Sequence, residues 1–224
     1  MTQHPLESYS SLWWDESGPF KILHQITPLR LQWLLETIGC PAGLNILDVG
    51  CGGGLLCEPL ARLGATMVGI DPVPNAIQAA KDHNPGLPIQ YQEGLIETLD
   101  TVKIFDIITA FEVIEHVEHP AEFFSVCARL LKPGGWLMGS TLNRTSASYF
   151  LGIVAAEQLL GWVPKGTHQI EKFLTPNEIW AYAKSYGLEC CQIQGFFYSF
   201  LKNRFILSDR QTVNYFFALR NPSP

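Results

Sequence analysis

Glu112, Glu115 and His116 stand at i, i+3 and i+4, directly after the apolar run FDIITAF and within EVIEHVEHP. If the chain coils into a turn there, both carboxylates and the imidazole share one face, able to hold a divalent cation or to accept a proton as base. Mg²⁺ suits the oxygen ligands, and the imidazole leaves Zn²⁺ or Mn²⁺ open. The alternative is that these residues fix the loop or line a ligand pocket with no metal. Glu118 and His119 read as solvated loop residues. A second set lies upstream: in NILDVGCGGG, Asn45 to Gly54, an apolar run carries Asp48 and breaks into a loop with Gly50, Gly52, Gly53 and Gly54. Backbone N–H groups of such a loop can approach a ligand with no Cβ in the way. The next apolar run ends at Asp71, 21 residues after Gly50, close to the spacing at which an acid meets a ribose hydroxyl in a doubly wound nucleotide fold.

Several cofactors use a glycine loop after a first strand. The dinucleotide fingerprint needs glycine at offsets 0, 2 and 5, and offset 5 from Gly50 is Leu55. The glycines fall instead at offsets 0, 2, 3 and 4, which resembles the GxGxG loop of class I S-adenosylmethionine-dependent methyltransferases. The resemblance implies a methyl donor in place of a nicotinamide. That donor carries no pyrophosphate, so the loop, Gly50 and Gly52 included, is expected to contact its amino-acid and ribose portions. Acids such as Asp48 suit its ammonium and sulfonium charges. A tight strand-to-helix turn with no ligand is the rival explanation, and the second anchor at Asp71 speaks against it.

The elements that must position these groups can be read from composition and pattern. The chain has 224 residues, 47% hydrophobic and 16% charged, enough to fill the core of one α/β domain spanning 1–224. A net charge of −6 without a long Lys/Arg run argues against nucleic acid as the main partner and leaves small molecules. Six cysteines form no CxxC pair, and four sit inside apolar segments as small hydrophobes, which points to a reducing compartment. The first residues, MTQHPLESYSSLWWDESG, show neither a secretory nor a transit pattern, so a cytoplasmic location is expected.

Apolar runs alternating with helical segments predict a parallel sheet with crossover helices. Strands are expected near Asn45 to Val49, Thr66 to Ile70, Ile89 to Gln92, Phe105 to Ala110, Trp136 to Thr141, Leu188 to Gly195 and Val213 to Leu219. Helices are expected over Leu29 to Ile38, Leu55 to Leu63, Val73 to Asn84, Pro120 to Leu131, Ser148 to Trp162 and Pro176 to Tyr186, several opening on proline. KPGG at Lys132 to Gly135 turns a helix into the fifth strand. The interval from Asn203 to Val213 is too short for a crossover helix, so the last two strands read as an antiparallel hairpin. The fold class is therefore α/β and Rossmann-like, a seven-stranded, mostly parallel sheet with an antiparallel last strand and helices on both faces.

The segment Ser140 to Lys172 is longer than a simple βα connection, and reads as an apolar helical insertion at about 143–172. From Ser146 to Pro164 its only charge is Glu157. Such a helix must face protein, lipid or an apolar substrate, and its length and Glu157 argue against a transmembrane span. Two expectations stay open, a buried or lid-forming helix and peripheral contact with the inner face of the membrane through 146–164.

In order along the chain stand SLWWDESGPFKILHQITPLRL, LDVGCGGGLL, ARLGATMVGID, EVIEHVEHP, LLKPGG, STLNRT, VPKGTH and VNYFFALR. Together they resemble the ubiquinone-biosynthesis O-methyltransferase family over nearly the whole chain, and STLNRT and KGTH are far more specific than the glycine loop. The resemblance implies a methyl donor, S-adenosyl-L-methionine, and polyprenylated catechols methylated at two stages of quinone assembly, 2-polyprenyl-6-hydroxyphenol and 3-demethylubiquinol. It also implies a divalent cation (Mg or Zn) and protein partners in quinone biosynthesis. By motif, Arg30 of TPLRL, Gly50, Asp71 and Phe111 fall on donor-binding positions, and Glu112, Glu115 and His116 on metal positions. Two departures stand out. Phe111 replaces the methionine or other aliphatic of related enzymes, though its ring can still pack on adenine. FFYSFLKNRF lacks a proline near Tyr198.

A phenol titrating near about 10 is mostly protonated at pH 7, so its attack on a sulfonium methyl needs help. A cation on Glu112, Glu115 and His116 would chelate the catechol and lower the pKa of the attacking oxygen. Without metal, His116 is the general base. His116 and Glu115 are the catalytic candidates. Rival readings are a methyltransferase for another small metabolite and a non-catalytic, lipid-binding subunit of a quinone-biosynthesis assembly.

Overall fold

Strand NILDV, β1 (Asn45–Val49), is buried from its second residue onward on both faces, as a strand inside a parallel α/β sheet must be. The computed structural model describes residues 12–84, 86–99, 105–145, 148 and 172–223. The chain divides into two units, Met1–Asp100 and Thr101–Pro224.

In the first unit β1 pairs in parallel with β2 (Thr66–Asp71), with Asp48 opposite Gly69, and β2 pairs in parallel with β3 (Ile89–Glu93). The connections are helical: α2 (Cys57–Arg62) follows β1, and α3 (Pro74–His83) follows β2. Pro74 sits in the first turn of α3, where its missing N–H costs nothing. The long α1 (Lys21–Ile38) precedes the sheet and buries Ile26, Leu29, Arg30, Trp33 and Leu34.

Helix α1 starts eight residues before the expected Leu29, with Pro28 inside it. The proline was a poor boundary marker because only one backbone donor is lost, and the neighbouring Thr27 hydroxyl donates to Leu23 O at 2.7 Å.

In the second unit β4 (Phe105–Phe111) and β5 (Leu131–Leu142) are parallel, joined through α4 (Pro120–Leu130). The partner of Phe105 is Leu131 and that of Ile107 is Trp136, so KPGG is looped out of register at the start of β5. Lys132 Nζ holds that loop by pairing with both carboxylate oxygens of Asp106 at 2.9 Å. After α5 (Pro176–Ser185) the chain forms β6 (Glu189–Ser199), β7 (Arg204–Ser208) and β8 (Asn214–Arg220). Within this unit the strand order is β4-β5-β8-β6-β7, the last three antiparallel to their neighbours.

Among the described residues there are eight strands where seven were expected. The sixth and last strands do pair antiparallel, but not as a hairpin, because β7 intervenes and forms the true hairpin with β6. The tract FFYSFLKNRF is that hairpin, and Asn203 at φ 49 supplies the left-handed residue of its turn. The apolar helix expected at 148–162 lies largely outside the described residues, as does nearly all of 146–164. Among the described residues no helix is long and apolar enough to cross a membrane.

Helix α5 opens on a capping box. The Thr175 hydroxyl accepts from Glu178 N at 3.4 Å, and Thr175 N donates back to Glu178 Oε2 at 2.8 Å. Burial pushes the Glu178 carboxyl up, but bonds from the Thr175 backbone and hydroxyl and from Arg144 outweigh it and hold the group below the usual glutamate range. Thr175→Ala is expected to cost about 1 kcal/mol in urea unfolding. Because the folded pKa is depressed, stability contributed by the ionised Glu178 is present above the unfolded pKa and fades as pH falls through the folded one. The advantage of the parent over Glu178→Gln should accordingly be measurable at pH 7 and vanish on acidification below the ordinary glutamate range.

Candidate functional site

The first unit carries the donor-side residues. Arg30 lies on the buried side of α1, Asp48 on β1, and the glycine loop follows at once. Gly50 at φ 67 and Gly52 at φ 53 take left-handed conformations that a side chain rarely adopts, so the loop needs glycine for its backbone alone. Gly50 N and Cys51 N both donate to Ile70 O, at 2.8 and 3.1 Å, pinning the loop to the end of β2.

Asp71 completes the arrangement. Its Oδ2 accepts from Gly52 N at 2.9 Å and its Oδ1 from Val73 N at 2.9 Å, while the residue is 8% exposed. One carboxylate thus ties the glycine loop to the start of α3. Asp48 is also buried, and its Oδ2 accepts from Cys57 Sγ at 3.3 Å. The bond with Cys51, burial and Asp48 push the Cys57 thiol well up. The bond with Cys57 lowers the Cys51 thiol, but burial, Asp48 and Asp71 raise it by more. Both therefore remain neutral thiols packed under the loop, not nucleophiles.

The second unit carries the acid and histidine residues. Phe111 ends β4, buried, and meets Phe216 edge-on with ring centroids 5.8 Å apart. Glu112 follows at φ 58, a left-handed backbone on a residue with a long side chain. Such strain of order 1 kcal/mol persists where surrounding bonds over-determine it. Glu112 N donates to Ser140 O at 3.0 Å, and the Ser140 hydroxyl donates back to Glu112 Oε1 at 2.5 Å. Glu115 lies in a short 3₁₀ turn, Ile114–His116, 3% exposed, where its Oε2 accepts from the Thr141 hydroxyl at 2.9 Å. Burial first, and the neighbouring Glu112 carboxylate second, push the Glu115 carboxyl well above the usual range. Glu115 Oε1 is buried with no hydrogen-bond partner. His116 is exposed.

Glu112 and Glu115 are thus brought together and fastened to consecutive residues of β5. Ser140 and Thr141 are fully buried hydroxyls that sequence reading passed over as binding partners, although STLNRT puts two of them at the end of an apolar strand.

Residues 20–193 match the family model of a methyltransferase domain. A ubiquinone biosynthesis O-methyltransferase of Nitrobacter winogradskyi is 45% identical over 226 residues, covering 94% of this chain and 87% of its own. Another, of Ralstonia nicotianae, is 41% identical and covers 97% of this chain and 94% of its own. The chain belongs to the ubiquinone biosynthesis O-methyltransferase family. The fold agrees. Magnesium protoporphyrin IX methyltransferase of Synechocystis PCC 6803, with bound SAH, aligns at a TM-score of 0.66 and 20% identity over 90% of this chain and 85% of that one. A Mesorhizobium loti S-adenosylmethionine-dependent methyltransferase aligns at 0.64 and 19% identity, over 84% of this chain and 96% of its own. The architecture is that of class I methyltransferases, and the Synechocystis protein has been solved with bound SAH and with bound SAM.

Whether the acid pair suits a cation is a separate matter. Two adjacent carboxylates, one with an orphaned buried oxygen, are a hard oxygen donor set short of one positive partner, which a proton or a divalent cation satisfies. Among the described residues, however, no three His, Cys, Asp or Glu side chains form a group able to hold a metal ion. Two carboxylates are brought together, and among the described residues the imidazole of His116 is not gathered with them into such a group.

Proposed function

We infer that this methyltransferase transfers the methyl group of S-adenosylmethionine to catechol-type hydroxyls of polyprenylated ubiquinone precursors, 2-polyprenyl-6-hydroxyphenol and 3-demethylubiquinol. The observation that carries the reading is the 45% identity to a ubiquinone biosynthesis O-methyltransferase over 94% of the chain, with the glycine loop, Asp71 and the acid pair all intact. Intact chemistry at both places speaks against a non-catalytic lipid-binding subunit.

In this reading Gly50, Gly52, Asp48, Asp71 and Arg30 hold the donor, whose sulfonium supplies an electrophilic methyl group. Asp71 fixes the loop through Gly52 N and lies at the end of β2, where the spacing from Gly50 places an acid for the ribose hydroxyls. The Arg30 guanidinium suits the donor's carboxylate, and the resemblance puts Phe111 on a donor-binding position. Most of the acceleration comes from holding oxygen, methyl carbon and sulfur in line. On the acceptor side the exposed His116 imidazole is the candidate general base for a phenolic proton. Glu112 and Glu115 are the residues that would hold a divalent cation, with His116 as the third ligand the resemblance implies. A cation there supplies Lewis acidity toward the catechol oxygens.

A polyprenyl tail partitions into lipid, and the apolar sequence of 146–164 supports peripheral contact of an otherwise cytoplasmic enzyme with the inner face of the membrane.

Transfer of labelled methyl to a short-chain polyprenyl catechol tests the function, and a panel of unrelated metabolites tests its range. Saturable transfer to the catechol is expected. Preference for an unrelated acceptor overturns the substrate assignment. In the same assay EDTA separates the two readings: loss of turnover with recovery on adding Mg²⁺ or Zn²⁺ supports the cation the resemblance implies, and indifference to EDTA leaves His116 as base without a metal.

A further inference from the structure

The glycine loop of the first unit is covered by a segment that no donor-binding motif includes. The Trp13 ring lies flat across Gly52 and Gly53. A Cβ on Gly52 would come 2.5 Å from Trp13 Cη2, and one on Gly53 would come 2.7 Å from Trp13 Cγ. Those are distances that real side chains do not tolerate. These two glycines therefore make room for an indole on one side, apart from any ligand. Trp13 is 7% exposed and stacks on Phe20 with centroids 3.9 Å apart and planes 7° from parallel. Its carbonyl meets His24 Nε2 of α1 at 2.8 Å.

Trp14 grips the same loop from a second direction. Its indole N–H donates to Gly53 O at 3.0 Å. Its ring stacks on His83, at the end of α3, with centroids 3.5 Å apart and planes 8° from parallel. His83 Nδ1 lies 2.6 Å from Glu58 Oε1 on α2, and the fully buried Glu58 also accepts from Arg62 at 2.9 Å. The loop is thus closed in a ring running from Gly53 through Trp14, His83 and Glu58 back to the helix that the loop itself begins. Asp71 restrains Gly52 N on the strand side, and the two tryptophans restrain Gly52 and Gly53 on the other.

We propose that Trp13 and Trp14 are positioning residues for the methyl donor, clamping the glycine loop in the conformation that receives it. The proposal rests on reading that loop as the donor site. A left-handed glycine loop gains its ligand affinity from N–H groups already aimed, and each freedom left to it is entropy that binding must remove. Trp14 acts through one bond to a loop carbonyl and touches no reacting atom, so its influence belongs in donor affinity and not in the chemical step. The Trp13 N–H is buried without a partner. This uncompensated donor makes the clamp easier to loosen than its packing alone suggests.

The deciding experiment is Trp14→Phe, which keeps a ring against His83 and deletes the N–H. Adenosylhomocysteine binding is read by calorimetry, donor KM and kcat by methyl transfer, and the unliganded unfolding midpoint by circular dichroism. The expected result is a rise of about 3- to 10-fold in both Kd and donor KM, the range one hydrogen bond commands, with kcat within twofold of the parent. A role in folding alone would lower the midpoint without splitting KM from kcat. An unchanged Kd, or a fall in kcat at constant KM, overturns the clamp. Should Trp14→Phe not fold, His83→Ala removes the surface on which Trp14 stacks, together with the His83–Glu58 contact, and carries the same expectations for Kd, KM and kcat. Failure of the parent protein to bind adenosylhomocysteine would overturn the donor-site reading and the clamp with it, an outcome distinct from a variant that binds as well as the parent.

Discussion

Asp71→Ala is expected to weaken adenosylhomocysteine binding on the order of 100-fold, measured by calorimetry on folded protein. The carboxylate makes two charge-assisted bonds to backbone N–H groups, one on the glycine loop and one at the start of α3. Bonds of that kind contribute about 1.5–3 kcal/mol each, and part of the loss falls on stability and part on the ligand. About 3 kcal/mol on the ligand's side corresponds to the stated factor. The variant should also unfold at lower temperature, because Gly52 N–H and Val73 N–H lose their acceptor inside a buried loop. Donor affinity within twofold of the parent would show that Asp71 serves only the backbone.

His116→Ala should lower kcat by about 10²- to 10⁴-fold, the usual contribution of a positioned general base, while calorimetry finds donor affinity nearly unchanged. The split follows from placement. His116 sits in the second unit, in the short turn after β4, and none of the loop-to-Asp71 bonds described in the first unit involves its side chain. A variant that loses donor binding along with turnover would assign His116 to the donor and not to the acceptor.

How much of this could be read from the residues differs by element. The first five strands and the helices opening on Pro74, Pro120 and Pro176 were legible because apolar runs, proline at a first turn and glycine after a strand each act through local physics. Helix α1 runs further than its sequence suggests because Pro28 inside it costs one bond, not the helix, when the rest of the face is buried. The β6–β7 hairpin was missed because its signal is one asparagine in a left-handed turn, hidden among aromatic residues that read as a single apolar tract.

At the site, the glycine loop and Asp71 announce themselves by spacing, and Glu112 and Glu115 by theirs. What spacing could not supply is the identity of the groups that hold them. Ser140 and Thr141 reach the acids from a strand 26 to 28 residues away in sequence, and Trp14 reaches Gly53 across 39 residues. Such partnerships are created by the fold, so no local pattern records them. The exposure of His116 likewise depends on the direction in which the turn leaves β4, which the i, i+3, i+4 count leaves undetermined.

If Glu112 serves the reaction as proposed, its left-handed backbone sets folding preference against chemistry at a single residue. A chain selected for foldedness alone would place glycine or asparagine there, relieving the dihedral while discarding or shortening the acid. Retaining glutamate at such an address makes the position a natural point of divergence. Descendants released from catalysis would drift toward the relaxed residue first, gaining robustness as they forfeit the reaction.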